Sequence, residues 1–576
     1  MKTLLRSALG IVFLSFCLVS CKNNIPKEAR YIPKDAGLVL VMDPQQMQDK
    51  LQKGGISIDS LISRIFKNDS ADAKEKAMFD DMRLQAGIDW NEKIFVFISQ
   101  KLNADSNNSV TMSVLGSLKD SAKFGAFTRR NEHLKNISVQ KAQDFSYLLP
   151  HEGTMIAWND KQIIVTHHSH NTKAVYDSAA MRFKPGAPVD LNSEIKEQVT
   201  RYFTQKTSES LAEVTAFTNM FKDKADGYMF TNSNSFISAL NAMPFQIPKL
   251  EDLLKDNYTT ATLTFETGKI VAKMTNYTNP TLSSVLKQYA GPAVDLSLVQ
   301  HYPSSNIDVL WLTAFNPELI GGLLKQLEVE GLANDLLQKK IGLSSQDLYK
   351  ALKGDMAVVV SDLGMSSVEP QAKTDERSMM KKKAWGKMIF IAPVGDKASF
   401  AKIMDKGVEQ GLLEKRASAY MLKQPLNSFA FLVADDKNLV IASDSVTYSA
   451  YMAKTATAAI NKDVLERFKG KTGAFYFDIA TTLNGFTSDS TGHFNHSLVS
   501  AKQTFKDMIG TSDKFDGDAQ KASFEVRMQN ETQNSLVTLT SLITNIAIDM
   551  RVQAKKERES EEKMFPGGVP AIIRTN

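Results

Sequence analysis

Histidine is scarce in this chain, with 8 residues in 576, and one dense group stands out at His167-His168-Ser169-His170. In an extended segment His168 and His170 would share one face, where two imidazoles could hold a metal ion. A similar strand later in the chain ends in Ser443-Asp444-Ser445, which offers no such ligands. We therefore favour a solvated strand end over a metal site here.

Two further groups could bind a metal ion, and for both we favour a simpler interpretation. His493 and His496 have the spacing of one helical face, but the Gly, Ser, Thr and Asn residues around them predict a loop. Asp513, Asp516 and Asp518 lack the alternating spacing of a calcium loop. These aspartates predict a polar turn before a strand.

A pair of short motifs resembles the penicillin-recognising enzymes. Ser284 and Lys287 fit S-x-x-K, and Lys471-Thr472-Gly473 fits K-T-G. The intervening S-D-x triplet, Ser443-Asp444-Ser445, lies too far from the first motif. The sequence contains no G-x-S-x-G elbow, phosphate-binding glycine loop or dinucleotide fingerprint. We therefore expect no enzyme activity, and no catalytic, cofactor-binding or metal-binding residues.

The tryptophans and one basic run are the remaining candidates for ligand contact. Trp311 lies in an apolar run and is predicted to be core. Trp158 and Trp385 are the tryptophans to test for ligand stacking, although a structural role is favoured for both. Lys381 to Lys383 could touch an anionic lipid surface, although a solvated loop is favoured.

Composition limits the class of protein. The chain has 69 basic and 64 acidic residues, a net charge of +5, and is 43% apolar. Such a chain can bury two or more cores, and its near-balanced charge gives no sign of a nucleic-acid partner.

The N-terminus has the layout of a secretory signal, with Lys2 and Arg6 before an apolar run from Ala8 to Leu18. Leu18-Val19-Ser20-Cys21 resembles the lipobox of bacterial lipoproteins. Residues 1–20 would then be a signal peptide, Cys21 the lipidated residue and 21–30 a tether. Cys17 and Cys21 are the only cysteines, so the body has no disulfide framework.

The residues after Cys21 bear on location. Lys22-Asn23-Asn24 lacks the acidic second residue that retains many lipoproteins in the inner membrane, so the resemblance implies the outer membrane. Whether the protein lies on the periplasmic face or on the cell surface is left open.

An internal repeat is the most informative feature of the sequence. The apolar run Leu38 to Met42 ends in Asp43-Pro44, and Val309 to Phe315 ends in Asn316-Pro317. Each proline would begin a helix capped by the preceding residue. A tyrosine and a proline precede each run, at Tyr31 and Pro33 and at Tyr302 and Pro303.

Further anchors follow in the same order along both halves. Asp120 and Phe124 of the first half correspond to Asp396 and Phe400 of the second half. The other corresponding segments are the hairpins at 158–165 and 434–441, the turns at 226–230 and 472–476, and residues 274–276 and 528–530. Residues 190–221 would be an extra helical stretch of the first half, and residues 362–384 a long hairpin loop of the second.

These patterns predict an α+β fold of two tandem related halves, each with a mixed, mainly antiparallel sheet and packed helices. The first half covers residues 31–290 and the second half covers residues 302–550. Gly291-Pro292 marks the junction, and residues 551–576 form a charged, flexible C-terminal tail. If the repeat is real, Phe124 should superpose on Phe400, and Asp160 on Asp436.

The lipobox, the tyrosine-proline lead and the duplicated halves together resemble a family of large Bacteroidota lipoproteins classed as a domain of unknown function. The resemblance implies a fold and a location in the cell envelope, and it assigns no catalytic residues. We expect a non-enzymatic binding or scaffolding lipoprotein of the cell envelope, with the membrane and an unidentified envelope protein or ligand as partners. The alternatives are an envelope hydrolase and a ligand-capture lipoprotein for nutrient uptake.

Overall fold

The structure is a computed structural model of the 576-residue chain. It describes residues 25–65, 70–102, 108–172, 174–177, 181–184, 188–235, 247–367, 382–424, 430–456, 460–487 and 494–564, with the single residues 186, 237, 426 and 458. The predicted signal peptide and Cys21 lie outside the described residues, as do His493, Met379, Met380 and Lys381.

Most strands of the described chain belong to one sheet. Those of the first half are β1 (Leu38–Met42), β2 (Ile94–Leu102), β3 (Asn108–Ser117), β4 (Gln140–Lys141), β5 (Ser146–His151), β6 (Thr154–Trp158), β7 (Gln162–Asn171), β10 (Gly227–Asn232), β11 (Tyr258–Glu266) and β12 (Lys269–Tyr277), while β8 (Val175–Asp177) and β9 (Arg182–Lys184) form a separate hairpin. Those of the second half are β13 (Ile307–Ala314), β14 (Asp355–Ser367), β15 (Lys382–Pro393), β16 (Leu413–Arg416), β17 (Ala419–Leu422), β18 (Phe431–Ala434), β19 (Asn438–Ala442), β20 (Gly473–Phe477), β21 (Phe505–Ser512) and β22 (Ala519–Met528).

The helices lie between and after these strands. Those of the first half are α1 (Pro44–Lys53), α2 (Ile58–Ile65), α3 (Ser70–Gln85), α4 (Ser121–Arg130), α5 (Leu191–Thr204), α6 (Thr215–Asn219), α7 (Leu250–Leu254) and α8 (Pro280–Gln288). Those of the second half are α9 (Glu318–Gln326), α10 (Glu330–Ile341), α11 (Ser345–Ala351), α12 (Lys397–Glu409), α13 (Ser445–Met452), α14 (Lys462–Phe468), α15 (Ile479–Thr487), α16 (Phe494–Thr504) and α17 (Ser535–Met564). Short 3₁₀ helices occur at Lys27–Tyr31, Thr207–Glu209, Leu211–Glu213, Met220–Lys222 and Leu296–Leu298.

The strands of the two halves have the same spatial order from edge to centre, when each strand is matched with its counterpart in the other half (β4 with β16, through to β12 with β22). From one edge to the centre it runs β4-β5-β6-β7-β3-β2-β1-β10-β11-β12. From the other edge it runs β16-β17-β18-β19-β15-β14-β13-β20-β21-β22. Every one of these pairings is antiparallel, so the described strands confirm the mainly antiparallel α+β class without the parallel strands that a mixed sheet would contain.

Two hydrophobic cores lie on one side of this sheet, one in each half. In the first core, Phe97 and Phe230 of the sheet pack with Tyr202 of α5 and Phe217 of α6. The rings of Phe97 and Tyr202 meet edge-on with centroids 5.2 Å apart. The second core contains Leu310 and Leu312 of β13, Val464 and Phe468 of α14, and other residues. The tyrosines that precede β1 and β13 are buried in these cores, Tyr31 in the first and Tyr302 in the second.

Asp120 and Asp396, which the repeat pairs, cap helices at matching places, whereas α9 begins at Glu318 with Pro317, not the predicted Asn316, at its N-cap. Asp120 accepts a hydrogen bond from the backbone of Lys123 at the start of α4, and Asp396 does the same for Ser399 at the start of α12. Phe124 and Phe400 in these first turns are both buried. Their small clusters include Ile163 and Leu439, whose strand neighbours Ile164 and Val440 point into the main cores. Each phenylalanine therefore anchors its helix on the side of the sheet opposite the main core of its half.

The two halves join edge to edge. Strands β12 and β22 pair in register from Lys269 opposite Arg527 to Tyr277 opposite Ala519. The Glu525 carboxylate of β22 accepts hydrogen bonds from Lys269 Nζ and from the Arg467 guanidinium of α14, both at 3.0 Å. One carboxylate therefore bridges the two halves. Burial raises the pKa of Glu525, but the hydrogen bonds from these two cations outweigh burial and leave the pKa lowered.

Two local expectations differ from the structure, and the charged tail is helical where it is described. His496 lies in helix α16 rather than in a loop. The outer parts of the predicted loop 362–384 extend β14 to Ser367 and begin β15 at Lys382, and residues 368–381 lie outside the described residues. The predicted tail from 551 continues helix α17 as far as Met564, and residues 565–576 lie outside the described chain.

We expect Glu525→Gln to lower the free energy of unfolding at neutral pH by about 1–3 kcal/mol, because two cations at the junction lose their charged partner. The folded-state pKa is depressed, so the wild-type contribution is present above pH 4.5 and is lost as pH falls through the folded pKa. Urea unfolding from pH 7 to pH 3 should therefore show a steeper acid loss in the wild type than in Glu525→Gln. The exposed residue variant Glu251→Gln is the control, and an unchanged acid profile in Glu525→Gln would contradict this role.

Candidate functional site

On the side of the sheet opposite the two main cores, helices α4, α12, α1 and α17 cover some residues. The rest of this side carries exposed apolar side chains, and we call this uncovered part the outer face. Strand β1 shows how it arises, because alternate residues of a strand point to opposite sides. Val39 and Val41 are buried in the first core, whereas Leu40 and Met42 are 42% and 46% exposed. An all-apolar strand therefore gives this sheet a buried side and an apolar accessible side.

An in-register apolar row crosses five strands of the first half on the outer face. Its members are cross-strand partners, so their side chains are neighbours. From β7 through β3, β2 and β1 to β10 the row consists of Val165, Val114, Val96, Leu40 and Met229.

A second apolar row crosses the junction between the halves. From β11 to β13 it consists of Leu263, Ala272, Phe524, Gly510, Phe475 and Trp311. A Cβ atom on Gly510 would lie 2.7 Å from the Phe524 ring, so the absence of a side chain there lets the ring lie flat. Trp311 is 51% exposed, which makes the core assignment of Trp311 wrong. It lies on the outer face because its neighbours Leu310 and Leu312 face the core.

A polar row borders the apolar rows at one end of the strands. It consists of Thr231, Thr259, Asn276 and Gln520, which are cross-strand partners in β10, β11, β12 and β22. The hydroxyl of Thr259 donates to the side-chain oxygen of Asn276 at 2.8 Å. An apolar centre with a polar border is the usual anatomy of a protein–protein interface.

The predicted solvated strand end at His168 and His170 is wrong, because the side chains of both residues are buried. They lie on the core side of β7, and both contact Glu194 in the first turn of α5. His168 Nε2 lies 2.7 Å from Glu194 Oε2, and His170 Nδ1 lies 2.9 Å from the same oxygen. We call these three residues the His–Glu cluster.

The surroundings of the His–Glu cluster fix its geometry. Thr111 of β3 lies opposite His168, and its hydroxyl is 2.8 Å from His168 Nδ1. The turn between β5 and β6 abuts the strand, where Gly153 has φ +67 and a Cβ would lie 2.5 Å from the His168 carbonyl oxygen. Glycine is therefore required at this close approach.

The charge of Glu194 is stabilised by its partners. Burial raises the pKa of Glu194, but the hydrogen bonds from His170 and His168 outweigh it, so the pKa is lowered. Sequence reasoning identified the two histidines as a pair. It missed Glu194, because nothing in the local sequence shows that α5 packs on the end of β7.

The residues that resemble motifs of penicillin-recognising enzymes have structural roles or lie exposed on a helix. Ser284 is exposed on helix α8. Lys471 pairs with Asp513, and the Thr472 hydroxyl donates to the Asp513 carbonyl at 3.1 Å, so this motif ties the start of β20 to the end of β21. Asp444 caps helix α13 by accepting from the backbone of Thr447.

Other candidates from the sequence have structural roles as well. Asp516 accepts the backbone N–H groups of Asp518 and Ala519, which confirms a polar turn before β22. Trp158 is buried against Phe124, with ring centroids 5.2 Å apart, which agrees with the favoured structural role and leaves no ring face for ligand stacking. Trp385 is exposed, beside Gly364.

The fold and the outer face define a two-part α+β protein with one antiparallel sheet and an accessible apolar surface. A family model described as "Domain of unknown function (DUF4836)" matches residues 29–536, and the chain belongs to this family. No curated protein matches the chain at a significant level. Among the described residues no helix has the length and apolar character needed to cross a bilayer.

Two solved structures show a distant likeness. "Structure of crystal form I of TP0453" is 12% identical, with 44% of this chain and 79% of that chain covered and a TM-score of 0.21. "Structure of crystal form III of TP0453" is 13% identical, with 45% and 85% covered and a TM-score of 0.20. At these values the likeness supports no conclusion about this chain.

The two sides of the sheet should respond differently to loss of a leucine side chain. Leu310→Ala empties a fully buried site and should cost about 2–5 kcal/mol of unfolding free energy. Leu40→Ala on the outer face should cost less than about 1 kcal/mol. Denaturant unfolding followed by circular dichroism measures both changes. Equal losses in the two variants would show that the outer face is covered in the folded protein.

Proposed function

We propose that this chain is a lipoprotein of the cell envelope, anchored at the outer membrane through Cys21, that binds a partner protein on the outer face without catalysing a reaction. The observation that carries the proposal is the outer face itself. Contiguous exposed apolar surface is uncommon on a protein that works alone, and it marks interaction sites.

The side chains of the outer face suit an apolar partner. The two apolar rows contain Val, Leu, Met, Ala, Gly, Phe and Trp and no ionisable residue. Desolvating such a surface has no charge-burial penalty, so it gains the full hydrophobic free energy of association. The exposed methionines Met42, Met112 and Met388 add side chains that adapt to a partner's shape.

A polypeptide fits the outer face better than lipid acyl chains do. The polar row at Thr231, Thr259, Asn276 and Gln520 offers hydrogen-bonding groups beside the apolar centre. Thr259 bonds to Asn276, and the Gln520 amide donates to the Asp513 carbonyl, but these side chains keep further hydrogen-bonding capacity that the rim of a protein partner can use and an acyl chain cannot. We therefore assign the outer face to the apolar surface of a partner protein.

The repeat explains the extent of the outer face. We propose that the two halves, residues 31–290 and 302–550, arose by internal duplication. Support comes from the identical strand order read inward from each edge and from the matching caps and aromatic anchors at Phe124 and Phe400. Each half brings its own apolar side, and the β12–β22 pairing makes the two continuous.

The described chain begins close to the proposed anchor. The 3₁₀ helix Lys27–Tyr31 packs on the body, with Glu28 and Ala29 buried, so the free part of the tether is shorter than the ten residues from 21 to 30. Glu28 follows Cys21 by seven positions, a stretch that spans at most about 25 Å. The tether therefore holds the body near the membrane surface, where envelope proteins are available as partners.

Site-specific photo-crosslinking in living cells tests the outer face as a binding surface. A photoreactive residue at Leu40 or Trp311 should give one discrete adduct with a second protein, and Met229→Asp beside Leu40 should abolish the Leu40 adduct. The same probe at Leu332, which is exposed on helix α10, is the matched control. Adducts with lipid alone, an adduct with a second copy of this chain, or no adduct at either face position would each overturn the proposal.

Replacing Cys21 with serine tests the anchor. The wild-type protein should fractionate with the outer membrane and carry acyl chains detectable by mass spectrometry. Cys21→Ser should lack the acyl chains and leave the outer-membrane fraction, because the body has no other predicted anchor. If Cys21→Ser stays in that fraction with the same yield, the lipid anchor is wrong.

A further inference from the structure

We propose that the His–Glu cluster binds a divalent transition-metal ion, with Zn²⁺ as the ion its ligands suit best. The ligands are Nε2 of His168, Nδ1 of His170 and the carboxylate of Glu194. Two imidazoles and one carboxylate are a common zinc ligand set in proteins. The proposal is independent of the binding function above, because the cluster lies on the core side of the sheet.

The three ligand atoms already converge. They lie within 4.8 Å of one another, and the two nitrogen-to-oxygen distances are 2.7 and 2.9 Å. Bond lengths of zinc to nitrogen and oxygen imply ligand atoms about 3.3 Å apart in a tetrahedral site. The metal-free cluster therefore has to open by about 0.5 Å, which small side-chain rotations provide.

The elements that carry the ligands are held firmly. Strand β7 places His168 and His170 two residues apart on one side of the sheet. Helix α5 begins at Leu191, and its cap Asp190 accepts the backbone N–H groups of Asn192 and Ser193. Asn192 in turn accepts the backbone N–H of Gly153 at 3.2 Å, which fixes the first turn of α5 against the β5–β6 turn.

A partner outside the ligand set orients one imidazole. The Thr111 hydroxyl contacts Nδ1 of His168, and a hydroxyl can either donate to this nitrogen or accept from it. When Nδ1 carries the proton and donates to Thr111, Nε2 presents its lone pair to a metal ion. Such hydrogen bonds behind a ligating histidine are typical of zinc sites.

Burial favours a bound ion and still leaves it a route of entry. The side chains of His168 and His170 are 3% and 8% exposed, whereas that of Glu194 is 35% exposed. Within the described part of the chain, Nε2 of His170 is buried without a hydrogen-bond partner. Three protein ligands leave a fourth tetrahedral position for water on the accessible side.

The cluster is a feature of the first half. Strand β7 extends to Asn171, whereas its counterpart β19 ends at Ala442 and is followed by the cap Asp444 of helix α13. The second half therefore has no histidine at the matching strand end. An ion bound to the cluster would link β7 to α5 and strengthen the first half alone.

Titration of the full-length protein with Zn²⁺ tests the site. The protein is purified in detergent without a histidine tag and stripped with a chelator. Isothermal calorimetry should show one Zn²⁺ per chain, and the melting temperature should rise with Zn²⁺ by mass action. X-ray absorption at the zinc edge should show two imidazole ligands.

Substitutions separate the site from adventitious surface binding. His170→Ala and Glu194→Gln should each weaken Zn²⁺ binding by about tenfold or more. His167→Ala, on the opposite side of the same strand, and Glu197→Gln, exposed on helix α5, are matched controls that should bind like the wild type. Circular dichroism of the metal-free proteins checks that each variant folds. Absence of one-to-one binding in the wild type, or equal binding in folded His170→Ala and Glu194→Gln, would overturn the proposal.

Discussion

The pairing of β12 with β22 is the constraint on which the rest of this structure depends. Without it each half would end in a long strand with unpaired backbone N–H and C=O groups, and such edges promote aggregation. Pairing the two edges with each other satisfies both at once and makes, within the described part of the chain, a single sheet of twenty strands. Beside this pairing, Glu525 of β22 forms ion pairs with Lys269 of β12 and with Arg467 of α14, and the contact with Lys269 crosses the junction.

Both main cores lie on one side of a continuous sheet, which has a consequence for the other side. Each half buries one face of its strands in its own core, so the strands of both halves expose their alternate residues to the same side. Where those alternate residues are apolar and uncovered, as in the two apolar rows, the joined sheet presents a wider apolar surface than either half could. The tether from Cys21 and the outer face are then compatible with a protein held at a membrane to bind another protein.

The sequence predicted the start of some helices correctly. Asp43 and Pro44 correctly marked the start of α1, because a cap and a helix-starting proline are local signals. The sequence did not predict which residues of an all-apolar strand are buried, because such a run shows no alternation of apolar and polar residues. Trp311 lies between Leu310 and Leu312 in a run that reads as buried on both sides, yet β13 has only one buried side. The prediction for His168 and His170 failed for a different reason. Both contact Glu194, which follows them by 26 and 24 residues in a helix whose packing the local sequence does not show.

A pair of engineered cysteines across the junction tests the account most directly. Met274 and Ala522 are register partners in β12 and β22, and the distance between such partners lies within the range that a disulfide spans. Apart from Cys17 and Cys21 near the N-terminus, the chain has no cysteine to compete. The account predicts that Met274→Cys with Ala522→Cys forms an intramolecular disulfide in the folded protein, whereas Lys273→Cys with Ala522→Cys, whose side chains point to opposite sides of the sheet, does not. Absence of the first crosslink, or its formation only between two chains, would contradict the joined sheet.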